Sequence, residues 1–214
     1  MSFKKMSLKM RFTLIMPLII FVSLITALIV KSFIALPVSE IGGRYEQACY
    51  VNDYFQVKYN FPDRFSLEDY STIQNENEKY KASDGTTGYP YNETEKYTIY
   101  QDSCIINNLI GTKIETYFVP KKENRVSKSR LLKQQIELCE KENGCKLSKK
   151  YTSEIAKRKF KMALLKSKDN DFEKKYLIAI CKKDKSYYII KISNSDYDEK
   201  TPEEYFDFFV KATK

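Results

Sequence analysis

Apolar side chains follow three rhythms along the chain, and each rhythm predicts a different element. Residues 12–30 are uncharged and almost wholly apolar. At about 1.5 Å per residue, a helix over them nearly spans a ~30 Å hydrocarbon core. Residues 54–61 instead alternate, placing Phe55, Val57, Tyr59 and Phe61 on one face, which is the period of a half-buried strand closed by Pro62-Asp63. Two further strands are predicted over 96–102 and 113–119, the second ended by Pro120. The third rhythm is helical: over 125–141, Leu132, Ile136 and Cys139 share a face, while Arg130, Lys133 and Glu137 turn to water.

The C-terminal third carries the clearest pattern. Phe160, Met162 and Leu164 alternate with Lys161 and Ala163, and a polar turn at 168–171 follows. Residues 176–181 are apolar on both faces, which predicts a central strand. A tight turn at 182–185 leads into another strand over 186–192. Thr201-Pro202-Glu203-Glu204 combines an N-cap, Pro in the first turn and Glu at N3, a helix start. Tyr205, Phe206, Phe209 and Val210 supply that final helix with a buried side. Two stretches are read as irregular: 31–53, a juxtamembrane connector broken by Pro37 and Gly42-Gly43, and the polar loop 74–95.

The expected fold class is therefore α/β, a mostly antiparallel sheet flanked by helices as an α/β/α sandwich, behind one N-terminal transmembrane helix. The expected domains are a basic cytoplasmic N-terminus (1–11), the membrane helix (12–30), the connector (31–53) and an extracytoplasmic α/β domain (54–214). Four features carry a family resemblance: Val57-Lys58-Tyr59-Asn60-Phe61-Pro62, strand then helix over 117–139, the hairpin 176–192 and the aromatic final helix. In this order of elements, residues 54–214 resemble the PsbP-like domain. The resemblance implies an accessory or assembly protein without catalytic residues, and it brings no catalytic motif with it.

Charge sets the direction of the membrane segment. Lys4, Lys5, Lys9 and Arg11 precede the run, and no acid occurs before Glu40. Basic flanks stay on the cytoplasmic side, so the expected topology is single-pass in the cell (inner) membrane with the C-terminal domain outside the cytoplasm. A cleaved signal peptide would have a shorter apolar region and a small-x-small site, and the positions around Ala27 and Ala35 lack one. Phe12-Thr13-Leu14-Ile15 is similar to the start of type IV pilins, but Arg11 and Met16 stand where that pattern has glycine and glutamate.

Composition removes several chemistries. The formal net charge is +9, but five of the cations and no acid lie in residues 1–31, so the body carries only about +4. The chain has no histidine, which excludes Ser-His-Asp and Cys-His catalysis and His-ligated metals. No cofactor is expected. Cys49, Cys104, Cys139, Cys145 and Cys181 contain no C-x-x-C pair. Cys139 and Cys145, which bracket a helix end at Asn143-Gly144, form the best candidate disulfide, and Cys181 reads as a small buried residue.

The remaining candidates are surface features. Lys146, Lys149, Lys150, Lys157, Arg158, Lys159 and Lys161 form a basic stretch interleaved with Tyr151 and Phe160. It reads first as a solvated, lysine-protected strand edge, and secondly as a patch for an anionic partner. Nucleic acid is not expected outside the cytoplasm. Asp169-Asn170-Asp171 has alternating oxygen ligands, but Lys174 and Ile180 stand where a calcium loop needs Gly and Glu. Asn92-Glu93-Thr94 is a glycosylation sequon that matters only in a eukaryotic secretory pathway. The expected partners are thus membrane lipid, through 12–30, and a protein of the cell envelope. Two other functions stand beside a non-catalytic envelope binding or assembly protein: a carboxylate-dependent glycan hydrolase and a pilin-like subunit.

Overall fold

The computed structural model describes residues 16–17, 19–26, 41–46, 48–67, 89–90, 98–120, 126–155, 157–169, 172–194 and 197–212. It divides into two units, Met1–Ala35 and Leu36–Lys214. In the first, residues 16–17 and 19–26 are helical with their apolar side chains exposed, and Thr26 Oγ1 donates to the Val22 carbonyl at 2.8 Å. Among the described residues no helix is long and apolar enough to cross a membrane. The remainder of the expected 12–30 segment lies outside the described residues, as do the whole basic N-terminus, Asn92 of the sequon, and Asn170 and Asp171.

The second unit is built on a large antiparallel sheet in which the strand predicted to be buried on both faces is an interior strand. β1 (Arg44–Glu46), β2 (Cys49–Asn52) and β3 (Val57–Asn60) open the unit. β4 (Ser66–Leu67), β5 (Tyr89–Pro90), β6 (Thr98–Asn107) and β7 (Thr112–Val119) follow, then helix α1 (Lys128–Asn143). β8 (Lys146–Ile155), β9 (Arg158–Asp169), β10 (Phe172–Lys183) and β11 (Ser186–Asn194) come next. Helix α2 (Pro202–Phe206) and β12 (Phe209–Lys211) complete the described chain. The large sheet runs β4-β6-β7-β11-β10-β9-β8, with β5 paired to β6. In β10, Leu177, Ile178, Ala179, Ile180 and Cys181 are all buried. Asp184 and Lys185, both at positive φ (47° and 77°), close the β10–β11 hairpin in the twist such two-residue turns favour.

One face of this sheet is covered by α1. Ser127 caps it by accepting from the Arg130 amide at 3.2 Å, and Gly144 ends it in the left-handed conformation at φ 61°. Leu131, Leu132, Ile136 and Cys139 pack on Ala163, Leu165, Ile178, Ile180 and Ile189. The predicted helix is thus present, its bounds shifted by two or three residues.

The other face departs from the α/β/α expectation. A second antiparallel sheet, β1-β2-β3-β12, lies over it together with α2. Tyr50, Phe55, Val57, Tyr59, Phe206 and Phe209 form one core with Phe160, Met162, Leu177, Ala179, Tyr188 and Ile190. The aromatic tail read as one helix is a single capped helix followed by a strand. The capping box at Thr201 forms in full, but the helix ends at Phe206. Phe209 then pairs with Tyr59 and is buried while Val210 is 40 % exposed, the alternation of a strand. The expected connector likewise contributes to the domain, since β1 and β2 form a hairpin within 31–53 and Tyr50 is fully buried.

Candidate functional site

Between the two sheets the chain turns sharply, and those turns build a groove. Pro62 halts β3, and Asp63-Arg64 make a bend in which Arg64 takes φ 70°. The Phe65 amide then donates to the Pro62 carbonyl at 3.3 Å, and Ser66–Leu67 join the edge of the large sheet beside β6. The second wall is the β6–β7 turn, where the Gly111 amide donates to the Asn107 carbonyl at 2.9 Å and the Leu109 amide to Asn107 Oδ1 at 3.1 Å. Residues 197–200 form the third wall, and Tyr205 and Phe208 the floor.

The resulting cavity has a volume of about 660 Å³. Aromatic rings contribute to its lining beside Pro62, Leu109 and Ile110: Phe65 meets Tyr205 edge-on at 5.5 Å, and Tyr205 lies 6.3 Å from Phe208. Asp63, Arg64, Glu199 and Lys200 line it with charges of both signs. Leu109 is 81 % exposed and Tyr197 66 % exposed at the rim.

Asp198 is the hub that holds this geometry. Its Oδ1 accepts from the Tyr205 hydroxyl at 3.0 Å and from the Lys200 amide at 3.0 Å, and its Oδ2 accepts from Thr112 Oγ1. A carboxylate with three donors is committed to positioning the wall and Tyr205. Burial, reinforced by Asp198, pushes the Tyr205 hydroxyl well above the usual phenol range. Among the described residues no group of three or more His, Cys, Asp or Glu side chains converges on a point where a metal would sit.

The sequence-predicted site residues fall elsewhere. Lys146, Lys149 and Lys150 lie on β8, the exposed edge strand of the large sheet, with Lys149 Nζ 4.8 Å from the Tyr151 ring. Lys157 occupies the β8–β9 turn at φ 62°. Arg158 turns inward, donating from Nε to the Phe55 carbonyl at 2.7 Å and from Nη2 to Gln56 Oε1 at 3.3 Å. The patch therefore divides, because strand alternation sends Arg158 to the small-sheet side and Lys159 and Lys161 to the other. Cys139 and Cys145 are brought together, their sulfurs 3.4 Å apart, but the bond is not formed and both thiols are free. Burial pushes the Cys139 thiol up to about 12.

A second cavity of about 320 Å³ opens beside the C-terminal end of α1. Lys191 stands in it with Nζ 5.0 Å from the Tyr117 ring, and burial lowers its pKa. The Tyr117 hydroxyl donates to Glu115 at 2.9 Å, and Glu115 pairs with Lys113 at 3.0 Å. A cation here complements the helix carbonyl end.

No protein-family model and no curated protein matches the sequence. Several solved structures share part of the chain path, among them the following two. One is a Pseudomonas aeruginosa protein of unknown function, 15 % identical over 48 % of this chain and 85 % of that chain, with a TM-score of 0.30. The other is LpqN of Mycobacterium tuberculosis, involved in cell envelope biogenesis, 9 % identical over 71 % of this chain and 76 % of that chain, with a TM-score of 0.40. No family is assigned. At this distance neither structure informs the groove, and its reading rests on its own residues.

The groove residues had no sequence signature. They come from four separated segments. The one local signal was Phe61-Pro62-Asp63, read as a strand end.

Proposed function

We propose that this chain is a membrane-anchored, non-catalytic binding protein whose extracytoplasmic domain takes an apolar segment of a protein partner in the aromatic groove. The observation that carries this reading is Leu109, a large aliphatic side chain held 81 % exposed beside the ring-lined cavity. Large apolar groups next to a concave aromatic surface, rimmed by charge, are the composition of a protein-binding centre. Asp63, Arg64, Glu199 and Lys200 supply that rim. The commitment of Asp198 to three donors supports a positioning role for it rather than proton transfer. Anchoring through 12–30 and the outside location of the domain rest on the uncharged run and its basic flank. A PsbP-like accessory role fits the same reading.

The test is photocrosslinking in intact cells with a photoreactive residue at position 109, and at Leu147 on the β8 edge as a control. One defined protein adduct at 109, absent at 147 and lost in Phe65→Ala, supports the reading. No adduct, or equal adducts at both positions, rejects it. The same groove holds Asp63 and Glu199, so a glycan hydrolase is the second reading. Release of soluble glycan fragments that ends in both Asp63→Asn and Glu199→Gln would establish it instead. A C-terminal alkaline phosphatase fusion, active only outside the cytoplasm, tests the topology separately.

A further inference from the structure

The large sheet carries a second concentration of charge on its helix-covered face, independent of the groove. Lys161 lies on β9 opposite Ile180 of β10, on the face that carries Ala163 and Leu165 under α1. Its Nζ donates to Ser129 Oγ in the first turn of α1 at 2.5 Å. Lys128, one residue earlier, donates from Nζ to the Lys159 carbonyl at 3.0 Å. Lys182, two residues beyond Ile180 and so on the same face, holds its Nζ 5.4 Å from the Tyr187 ring.

Three lysines, one each on α1, β9 and β10, therefore share the end of the helix-covered face at which α1 begins. Burial disfavours the charge on Lys128, and Lys161 and Lys182 add to that effect while Cys181 opposes it. The first turn of α1 contains no acid. Glu154, opposite Lys159 in the β8–β9 register, is the acid nearest in the ladder. No carboxylate forms an ion pair with Lys128, Lys161 or Lys182 among the described residues. Their polar contacts are instead a serine hydroxyl and a backbone carbonyl, with a tyrosine ring beside Lys182. Packing like charges on a rigid sheet without counter-charge opposes folding, and an anion placed between them reverses the sign of that effect.

We propose that Lys128, Lys161 and Lys182, with the Ser129 hydroxyl, form a binding site for a phosphate group. Such a group offers several acceptor oxygens for ammonium donors that reach it from different directions. The group belongs either to a free phosphate compound or to a phospholipid headgroup, and the test separates the two.

Full-length protein in nonionic detergent is acylated with a limiting amine-reactive ester, and each lysine is quantified by peptide mass spectrometry. The reaction is run in chloride, in inorganic pyrophosphate at matched ionic strength, and with phosphatidylglycerol mixed into the micelles. The expected result is slower acylation of Lys128, Lys161 and Lys182, by about five-fold when the ligand is at four times its dissociation constant. Lys146, Lys149 and Lys150 on β8 should keep their rates. Protection by pyrophosphate assigns a free phosphate compound, and protection by the lipid alone assigns a headgroup. In Lys161→Gln the protection of Lys128 and Lys182 should be lost while the β8 rates stay the same. Equal slowing of every lysine, or no slowing with either probe, overturns the site.

Discussion

Asp102 shows how single side chains tie the two sheets together. It projects from β6, is 8 % exposed, and accepts from the Gly43 amide at 2.8 Å and from Asn52 Nδ2 at 2.9 Å. Asn52 Nδ2 also lies 2.9 Å from the Ile41 carbonyl, and its Oδ1 accepts from the Phe55 amide at 2.8 Å. Burial pushes the Asp102 carboxyl up to about 6, and the hydrogen bonds offset only part of this. The native state therefore holds the proton more tightly than the unfolded chain. The stability from this group is complete below about pH 4 and is lost as pH rises through about 6, by roughly 3 kcal/mol. Denaturant titrations between pH 4 and 7 should show that decline, and Asp102→Asn should flatten it. An unchanged slope in the variant would move the proton elsewhere. At Gly43 an added Cβ would lie 2.1 Å from the Tyr50 hydroxyl oxygen and 2.6 Å from the Val51 carbonyl. Gly43→Ala should therefore destabilise the domain by about 1–3 kcal/mol, seen as a lower denaturation midpoint with the same slope.

At the scale of elements, the end of α1 makes its own prediction. Cys139 and Cys145 flank the left-handed Gly144 with sulfurs 3.4 Å apart. A disulfide-bearing oxidant should join them by exchange, two thiols giving one disulfide while the oxidant is reduced to thiols. The loop closed is short, so the gain should be only about 2 kcal/mol. Peptide mapping should find the 139–145 bridge, formed slowly because the Cys139 thiol stays protonated; a bridge through Cys181 instead would contradict the packing. Elements with one strong pattern were legible in the sequence. β10 is apolar on both faces because it is central, and α1 shows its helical stripe because only one face is covered. Elsewhere the pattern was ambiguous. Gly42-Gly43 reads as a break, yet Gly43 lies at the start of the β1–β2 hairpin, where its missing side chain admits Tyr50. Phe206, Phe208 and Phe209 suit a helix or a strand equally, and pairing with β3 decides it. The groove was invisible because Pro62, Asn107, Asp198 and Phe208 meet only after both sheets are placed.

The whole domain is a helix, a large sheet and a small sheet in layers, and the small sheet depends on a distant partner. β3 is paired on one side by β2, its neighbour in sequence, and on the other by β12. Phe209 there is 2 % exposed, and its ring lies 4.3 Å from that of Tyr59. Phe209→Ala should cost about 3–5 kcal/mol and increase binding of an apolar dye, since it opens the core between the layers. A midpoint shift no larger than that of an exposed Val210→Ala control would mean that β12 is peripheral. This pairing also sets an order of events. Tyr59 is synthesised early, but the strand that shields it comes at residues 209–211. Until those residues are free to dock, a ring-rich surface made by β2 and β3 stays open to other chains. The yield of the domain should therefore depend on holdase chaperones more than its final stability would imply.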